Sequence, residues 1–240
     1  MKVLVTGDSH TGPLQRGRAA LQSADKLSRD VNVIVGQLGG GHLLDTPFWR
    51  AEADRAEIVE PIYRQHIKRL PPRDPVDTLA LCMPLWPMRV VRRVVWSDSC
   101  LVGLEPGRRP FSHAMFRHAV LMDVRYVLGL FDHLKAIGVN TIAVSGPGLF
   151  RDNSALWKMN PNSVLRLFQL YRELVMEELK ARSIPIVDIP SECLDDDGFM
   201  QSEYRSSTQG DHHHANAAFG EMMILAIERC VLKNRPRLTM

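Results

Sequence analysis

The sequence has few cysteines and no long apolar run, and both features limit the classes of protein to which the chain can belong. The four cysteines lie far apart and none belongs to a Cys-x-x-Cys pair, which is typical of reduced thiols rather than of a disulfide framework or a zinc site. No apolar run approaches the roughly 18 residues of a membrane span. The charged Asp8 also follows the first apolar segment directly, where a signal peptide would still be apolar. We therefore expect a soluble, cytoplasmic protein.

The sequence also lacks a strong excess of charge of either sign. Its 30 lysines and arginines and 27 aspartates and glutamates leave a net charge of +3, too small an imbalance for a dedicated nucleic-acid binder. Low-complexity tracts and internal repeats are absent as well, which disfavours disorder, collagen and coiled coil. At 240 residues the chain suffices for one sizeable α/β domain, and we predict a single domain over residues 1–240.

The sequence does contain short apolar runs that alternate with longer amphipathic segments. This order is typical of βαβ units and predicts a mostly parallel, five-stranded sheet covered on both faces. Residues 48–69 predict a helix that is kinked or broken at Pro61. Residues 88–96, with valine pairs and arginines, fit an edge strand or a basic amphipathic patch. The predicted strands are 3–6, 31–35, 77–83, 140–145 and 184–189, and the other predicted helices are 14–27, 116–137, 162–181 and 215–232.

Two motifs, one near each end of the chain, contain groups suited to covalent catalysis. Residues 7–9 read Gly-Asp-Ser and follow the first predicted strand, where α/β enzymes often carry a nucleophile. Residues 211–214 read Asp-His-His-His and come shortly before the last predicted helix. A hydroxyl from one motif and an Asp/His pair from the other are the parts of a Ser-His-Asp triad, if the fold brings the two ends together.

In this order, the two motifs resemble those of the GDSL-type or SGNH hydrolase superfamily, whose fold is a flavodoxin-like α/β/α sandwich. The resemblance implies that Ser9 is the nucleophile, His214 its general base and Asp211 the carboxylate that orients the imidazole. It also implies an oxyanion hole formed by the backbone N–H groups of Ser9 and Gly39, with Gly40 as the next candidate, because glycine lets a substrate approach the backbone closely.

The activity implied by this resemblance is that of a serine esterase or acyltransferase that forms an acyl-enzyme on Ser9. Its substrate would be an acyl ester, such as an acylated sugar or lipid, and no metal or organic cofactor would be required. The resemblance predicts neither a nucleic-acid partner nor a membrane span, and the oligomeric state stays open.

One motif of the family is missing from the sequence. A Gly-x-Asn block is expected after the third strand, but residues 83–86 read Met-Pro-Leu-Trp. The loss of one oxyanion donor costs about 3 kcal/mol of transition-state stabilisation. Either His10, His42 or Asn153 replaces the missing asparagine, or the protein is a slow or specialised enzyme, or it is a degenerate domain that only binds a ligand.

A metal-dependent phosphoesterase is the second enzymatic hypothesis. Asp8 and His10 resemble the Asp-x-His motif that opens calcineurin-like metallophosphoesterases, in which both residues ligate a divalent metal. That family also has Gly-Asp-x-x-Asp and Gly-Asn-His-Asp/Glu blocks, and neither occurs at the corresponding places here. Two missing blocks weigh more than one missing asparagine, so we prefer the serine hydrolase. The histidines at 212–214 are a further candidate for metal binding.

Several arginines occur in the segments that follow the third predicted strand. We interpret them as solvated or paired with acidic residues. If they are not, their natural partner is an anionic group of the substrate, because guanidinium groups match carboxylates and phosphates. These residues are Arg89, Arg92, Arg93, Arg108 and Arg109.

Overall fold

The computed structural model describes residues 1–234, and the end of the predicted domain, residues 235–240, lies outside the described residues. Strands and helices alternate along most of this chain, as the apolar runs predict. The strands are β1 (Lys2–Gly7), β2 (Asn32–Gln37), β3 (Trp49–Glu52), β4 (Arg55–Ile58), β5 (Arg69–Leu70), β6 (Thr78–Cys82), β7 (Ser99–Leu101), β8 (Arg109–Phe111), β9 (Thr141–Val144) and β10 (Ile186–Val187). The helices are α1 (Thr11–Ser23), α2 (Pro61–Arg64), α3 (Met88–Trp96), α4 (His113–Ala136), α5 (Pro161–Ala181) and α6 (Ala217–Lys233).

A five-stranded parallel sheet forms the centre of the fold. Its strand order is β10-β9-β6-β1-β2, and every neighbouring pair is parallel. The chain runs from β1 to β2 on one side and later returns to β6 on the other, so the order reverses beside β1. Crevices at the carboxyl ends of strands around such a reversal are the usual ligand sites of open α/β sheets. The predicted fold class is confirmed.

Helices cover both faces of this sheet and make two apolar cores. Along β6, Leu79 and Leu81 pack into the core shared with α3, α4 and α5, whereas Ala80 and Cys82 pack into the core shared with α1 and α6. Successive side chains of a strand point to opposite faces, so a strand buried on both faces is apolar throughout. This is why the central strands are continuous apolar runs in the sequence.

Helices α1 and α6 approach each other through glycines. A Cβ on Gly17 would overlap the backbone of Gly220, and a Cβ on Gly220 would overlap the carbonyl oxygen of Pro13. Only glycine allows backbones to come this close. Because Ser9 comes shortly before α1 and His214 shortly before α6, this contact holds the two motif-bearing loops side by side.

The helix predicted over residues 48–69 is wrong. The segment forms the antiparallel strands β3 and β4, the short helix α2 and the short strand β5. Arg55 and Glu57 are partly exposed, whereas Ala56 and Ile58 are buried, and this alternation with a period of two is typical of a strand. Pro61 begins helix α2 rather than kinking a longer helix.

The alternative of an edge strand over residues 88–96 is also wrong, because the segment is the amphipathic helix α3. Met88, Val91 and Val95 are buried on one side, at helical spacing, and the arginines lie on the other.

All four cysteines are free thiols. Within residues 1–234, no helix combines the length and the apolar character needed to cross a membrane.

Candidate active site

Three side chains from the two ends of the chain form one hydrogen-bonded row. Ser9 Oγ lies 2.8 Å from Nε2 of His214, and Nδ1 of His214 lies 3.1 Å from each carboxylate oxygen of Asp211. With Nδ1–H donating to the carboxylate, Nε2 carries the lone pair and accepts the hydrogen bond of the Ser9 hydroxyl. The structure therefore brings together the three predicted residues in the order of a Ser-His-Asp triad.

The position of Ser9 follows from the close packing of β1 against β6. A Cβ on Gly7 would overlap the carbonyl oxygen of Cys82, and the next residue, Asp8, donates its backbone N–H to that same oxygen at 3.1 Å. The chain then turns at once into α1, because Thr11 donates both its N–H and its hydroxyl to the carbonyl of Asp8. Ser9 thus lies at the tip of a tight strand-to-helix turn.

Asp211 is held in its charged form by its own loop. The backbone N–H groups of His213 and His214 donate to Oδ1 of Asp211 at 3.3 and 3.0 Å. Partial burial opposes the charged carboxylate, but the backbone hydrogen bonds from His214 and His213 outweigh it and lower the pKa of Asp211 to about 2. The carboxylate is therefore ionised at any pH near neutrality.

His214 is kept neutral near pH 7 by its surroundings. Partial burial is the main factor that lowers the pKa of its imidazole, and the nearby His10 lowers it further. The carboxylate of Asp211 acts in the opposite direction, but the pKa stays below its ordinary value. A neutral imidazole with Nε2 facing a hydroxyl is the form that a general base requires.

A second Asp–His pair lies next to this row. Nδ1 of His10 is 2.8 Å from Oδ1 of Asp8, and the two side chains are only 3% and 2% exposed. Burial opposes the charge of Asp8, but the interactions with His10 outweigh it and lower the pKa of Asp8. Nε2 of His10 and Oδ2 of Asp8 are buried without a partner among residues 1–234. The His10 ring centroid lies 5.1 Å from that of His214.

The side chains that lie close enough together to bind a metal ion are not those that the phosphoesterase hypothesis predicts. In the described part of the chain, the one group of three such side chains is Asp211, His213 and His214, and two of these belong to the hydrogen-bonded row. Asp8 and His10 have no third ligand within coordinating reach there. This geometry favours the hydroxyl–imidazole–carboxylate chemistry over a metal centre at Asp8 and His10.

The other two histidines of the run have different surroundings. Nδ1 of His212 lies 3.0 Å from a carboxylate oxygen of Asp152, outside the row. The ring of His213 is tilted by 42° against that of His214, with 4.0 Å between their centroids, and it lines a cavity next to Ser9. Burial, with a further contribution from His214, lowers the pKa of His213 to about 4, so this ring is neutral at pH 7.

Among the described residues, the Ser9 turn and the glycine segment that follows β2 carry backbone N–H groups without an acceptor. Within residues 1–234, the N–H groups of Ser9, Gly39 and Gly40 donate to no protein atom, which is uncommon for partly buried amides. Gly40 lines the cavity beside Ser9. Gly39 lies deeper, where an added Cβ would come within 2.5 Å of the Tyr63 ring. Free donors at this edge are what an oxyanion hole requires.

Two of the three side chains that we considered as substitutes for the missing asparagine are engaged elsewhere. The Asn153 side chain accepts from the Ala155 N–H at 3.1 Å and donates to the carbonyl of His212 at 3.2 Å, so it supports the histidine loop. His10 is bound to Asp8, whereas His42 lines the cavity. Trp86, which ends the Met-Pro-Leu-Trp segment, lines the same cavity.

Comparisons with known proteins agree with this architecture. No protein-family model and no curated protein sequence matches the chain. The structure of a GDSL-like lipase from Bacteroides thetaiotaomicron matches with a TM-score of 0.53 and 12% identity, over 98% of this chain and 89% of that chain. The acetyl xylan esterase AlAXEase matches with a TM-score of 0.52 and 12% identity, over 96% of this chain and 100% of that chain. At such identities the likeness concerns the fold, and it confirms at that level the resemblance to GDSL/SGNH hydrolases.

Proposed function

We propose that the protein is a serine acyl-ester hydrolase or acyltransferase that works through an acyl-enzyme on Ser9. The observation that carries the proposal is the continuous row from the Ser9 hydroxyl through His214 to Asp211, with distances of 2.8 and 3.1 Å. The fold shared with a lipase and an acetyl xylan esterase supports acyl esters as the substrate class.

In the proposed first half-reaction, Ser9 Oγ attacks the ester carbonyl carbon while Nε2 of His214 takes its proton. Asp211 keeps Nδ1 protonated and stabilises the imidazolium that forms. The tetrahedral intermediate then collapses, the C–O bond to the alcohol breaks, and His214 returns the proton to the leaving alcohol. The acyl group stays on Ser9.

In the second half-reaction, water or an acceptor alcohol attacks the acyl carbon while Nε2 of His214 accepts its proton. The tetrahedral intermediate then collapses, the bond between the acyl carbon and Ser9 Oγ breaks, and His214 returns the proton to Ser9 Oγ. Water gives hydrolysis, and an alcohol gives acyl transfer. The developing oxyanion binds the N–H of Ser9 and an N–H of the glycine segment. We assign this second donor to Gly39, with Gly40 as the alternative because it lines the cavity. All these steps use groups of the chain itself.

The test is hydrolysis of p-nitrophenyl acetate by the wild type, Ser9→Ala and the control Ser23→Ala. Ser23 lies at the far end of α1 and donates its hydroxyl only to Ala19. We expect kcat to fall about 10⁴-fold or more in Ser9→Ala and to stay unchanged in Ser23→Ala. A stopped-flow burst of one nitrophenol per protein would report the acyl-enzyme directly.

Three results would contradict the proposal in distinct ways. Full activity of a folded Ser9→Ala variant would show that another group is the nucleophile. Hydrolysis of p-nitrophenyl phosphate that is abolished by EDTA and restored by manganese would favour the phosphoesterase. A well-folded wild type that hydrolyses no ester would favour a ligand-binding domain.

A further inference from the structure

A cavity of about 310 Å³ lies directly beside the Ser9 hydroxyl. Its wall includes Ser9, Gly40 and His213 from the candidate active site, together with Trp86 and two arginines of helix α3, Arg89 and Arg92. This volume is at the lower end of the range for small-molecule sites. The cavity is therefore the place where a substrate of modest size would meet the nucleophile.

The three arginines of helix α3 differ in how their charges are balanced. Arg89 is paired with the buried carboxylate of Asp123, with Nε and Nη2 at 2.9 and 2.7 Å from its two oxygens. Arg93 lies 2.9 Å from a carboxylate oxygen of Asp45. Arg92, which is exposed and lines the cavity, has no carboxylate partner within residues 1–234. Arg89 and Arg93 are thus paired with acidic residues, whereas Arg92 is exposed to solvent, and both situations agree with the interpretation of these arginines as solvated or paired.

Arg92 is the main source of positive charge on the cavity wall. Its charge reaches His213, where it contributes to the low pKa of that imidazole. His213 is itself neutral at pH 7 and adds no charge. The carboxylate of Asp8, the one acidic group lining the cavity, is buried and bound to His10. An unpaired guanidinium beside a nucleophile therefore faces the space that the substrate would fill.

Arg89 adds directional donors to this charge. A guanidinium has five N–H donors. In Arg89, the carboxylate of Asp123 takes two of them, and the carbonyl of Gly41 takes one Nη1 hydrogen at 2.9 Å. Tyr171 is a further hydrogen-bond partner of Arg89, which leaves at most one Nη hydrogen for a substrate, and Arg92 lies one helical turn further along the same face.

We propose that this cavity binds a negatively charged group of the ester substrate, a carboxylate, phosphate or sulfate close to the scissile bond, through Arg92 with help from Arg89. This proposal rests on the proposed function and specifies its substrate class. Guanidinium groups recognise such oxyanions by paired, charge-assisted hydrogen bonds.

Matched esters that differ by one carboxylate test the proposal. Mono-p-nitrophenyl succinate is compared with p-nitrophenyl butyrate for charge on the acyl side, and 4-acetoxybenzoate with phenyl acetate for charge on the alcohol side. We expect wild type to prefer one charged ester by about tenfold in kcat/KM, the ratio that one charge-assisted contact gives. This ratio should be lost in Arg92→Gln and kept in the control Arg93→Gln. It should also fall as NaCl is raised from about 0.05 to about 0.5 M, because salt screens an exposed charge.

The failure of this proposal differs from the failure of the proposed function. Hydrolysis of the neutral esters without a preference for either charged ester, or with a preference that Arg92→Gln retains, would overturn the anion site and leave the hydrolase intact. If no ester is hydrolysed, calorimetric titration with 4-acetoxybenzoate still decides the matter. Binding to wild type that is about tenfold weaker in Arg92→Gln would support the site, whereas equal or absent binding would overturn it.

Discussion

The candidate active site contains two Asp–His pairs that differ in what the imidazole can reach. In the pair of Asp211 and His214, the imidazole side chain is 23% exposed and its Nε2 meets the Ser9 hydroxyl. In the pair of Asp8 and His10, the imidazole is 3% exposed and its Nε2 meets no group among residues 1–234. The same two residue types thus occur twice in one site, with one imidazole in contact with the Ser9 hydroxyl and the other buried against its carboxylate at the cavity wall. Greater exposure and contact with a hydroxyl, not the carboxylate–imidazole hydrogen bond alone, are what the proposed base has and the buried pair lacks.

The largest expected effect on activity is that of removing the imidazole of His214. His214→Ala should lower kcat for p-nitrophenyl acetate about 10⁴-fold or more, with little change in the free energy of unfolding because His214 is partly exposed. His212→Ala, on the same loop, is the matched control and should have a much smaller effect. If His214→Ala kept most of its activity, the proton acceptor would have to be sought in the buried pair.

The second prediction concerns the stability that the buried pair of Asp8 and His10 gives to the fold. His10→Ala should lower the free energy of unfolding by about 3 kcal/mol, because it removes the imidazole partner of the buried Asp8 carboxylate and leaves only the backbone N–H of residue 10. Urea denaturation measures this change, and the exposed His118 on α4 supplies a control, His118→Ala, expected within about 0.5 kcal/mol of wild type. The folded fraction of His10→Ala should retain Ser9-dependent turnover. An unchanged stability together with a complete loss of turnover would make His10 a catalytic residue and remove the distinction between the pairs.

The third prediction concerns the glycine contact between α1 and α6, which positions His214 against Ser9. Gly220→Ala forces a Cβ into the carbonyl of Pro13, so α6 must move away from α1, which should cost about 1–3 kcal/mol. The shift displaces His214 from Ser9 and lowers kcat, whereas Asp8 and His10 lie on one segment and stay together. Gly12→Ala is the control, because its Cβ would be 3.5 Å from Arg16 Nη1, an ordinary contact. A Gly220→Ala variant with wild-type stability and activity would show that this contact does not set the distance between His214 and Ser9.

The smallest expected effect concerns pH. Protonation of His214 removes the base, and partial burial lowers the pKa of its imidazole. Activity should therefore persist below the ordinary histidine pKa of about 6.5 before it falls. A profile of kcat/KM against pH for a neutral ester reports this pKa in the free protein. An acid limb at or above pH 7 would show that His214 is more easily protonated than its surroundings indicate.

Much of the fold, and the three residues of the hydrogen-bonded row, could be predicted because their signals are local. The apolar runs of the central strands reflect burial on both faces, and the Gly-Asp-Ser turn and the late Asp-x-x-His spacing are short patterns. Residues 48–69 were predicted wrongly because charged residues at mixed spacing hid an alternation over only four residues, Arg55–Ile58. Helix propensity carries little information over so short a segment.

The electrostatic details of the site could not be predicted, because they depend on partners that are distant in sequence. Arg89, Arg92 and Arg93 look alike in the sequence, and only the tertiary positions of Asp123 and Asp45 separate them. The same limit applies to Asn153, a candidate oxyanion donor by type, whose amide is bound to the histidine loop.

The glycine contact between α1 and α6 has a consequence for how this protein could be redesigned. It fastens the first and last stretches of the chain together, and these stretches carry the row of Ser9, His214 and Asp211. The intervening stretch supplies other cavity walls, among them Trp86 and, from α3, Arg89 and Arg92. The proposed nucleophile, base and carboxylate therefore come from the two ends of the polypeptide, whereas most of the cavity wall comes from the residues between them. Exchanging wall residues of α3, while both ends and the segment of Gly39 and Gly40 stay unchanged, is the route to new substrates.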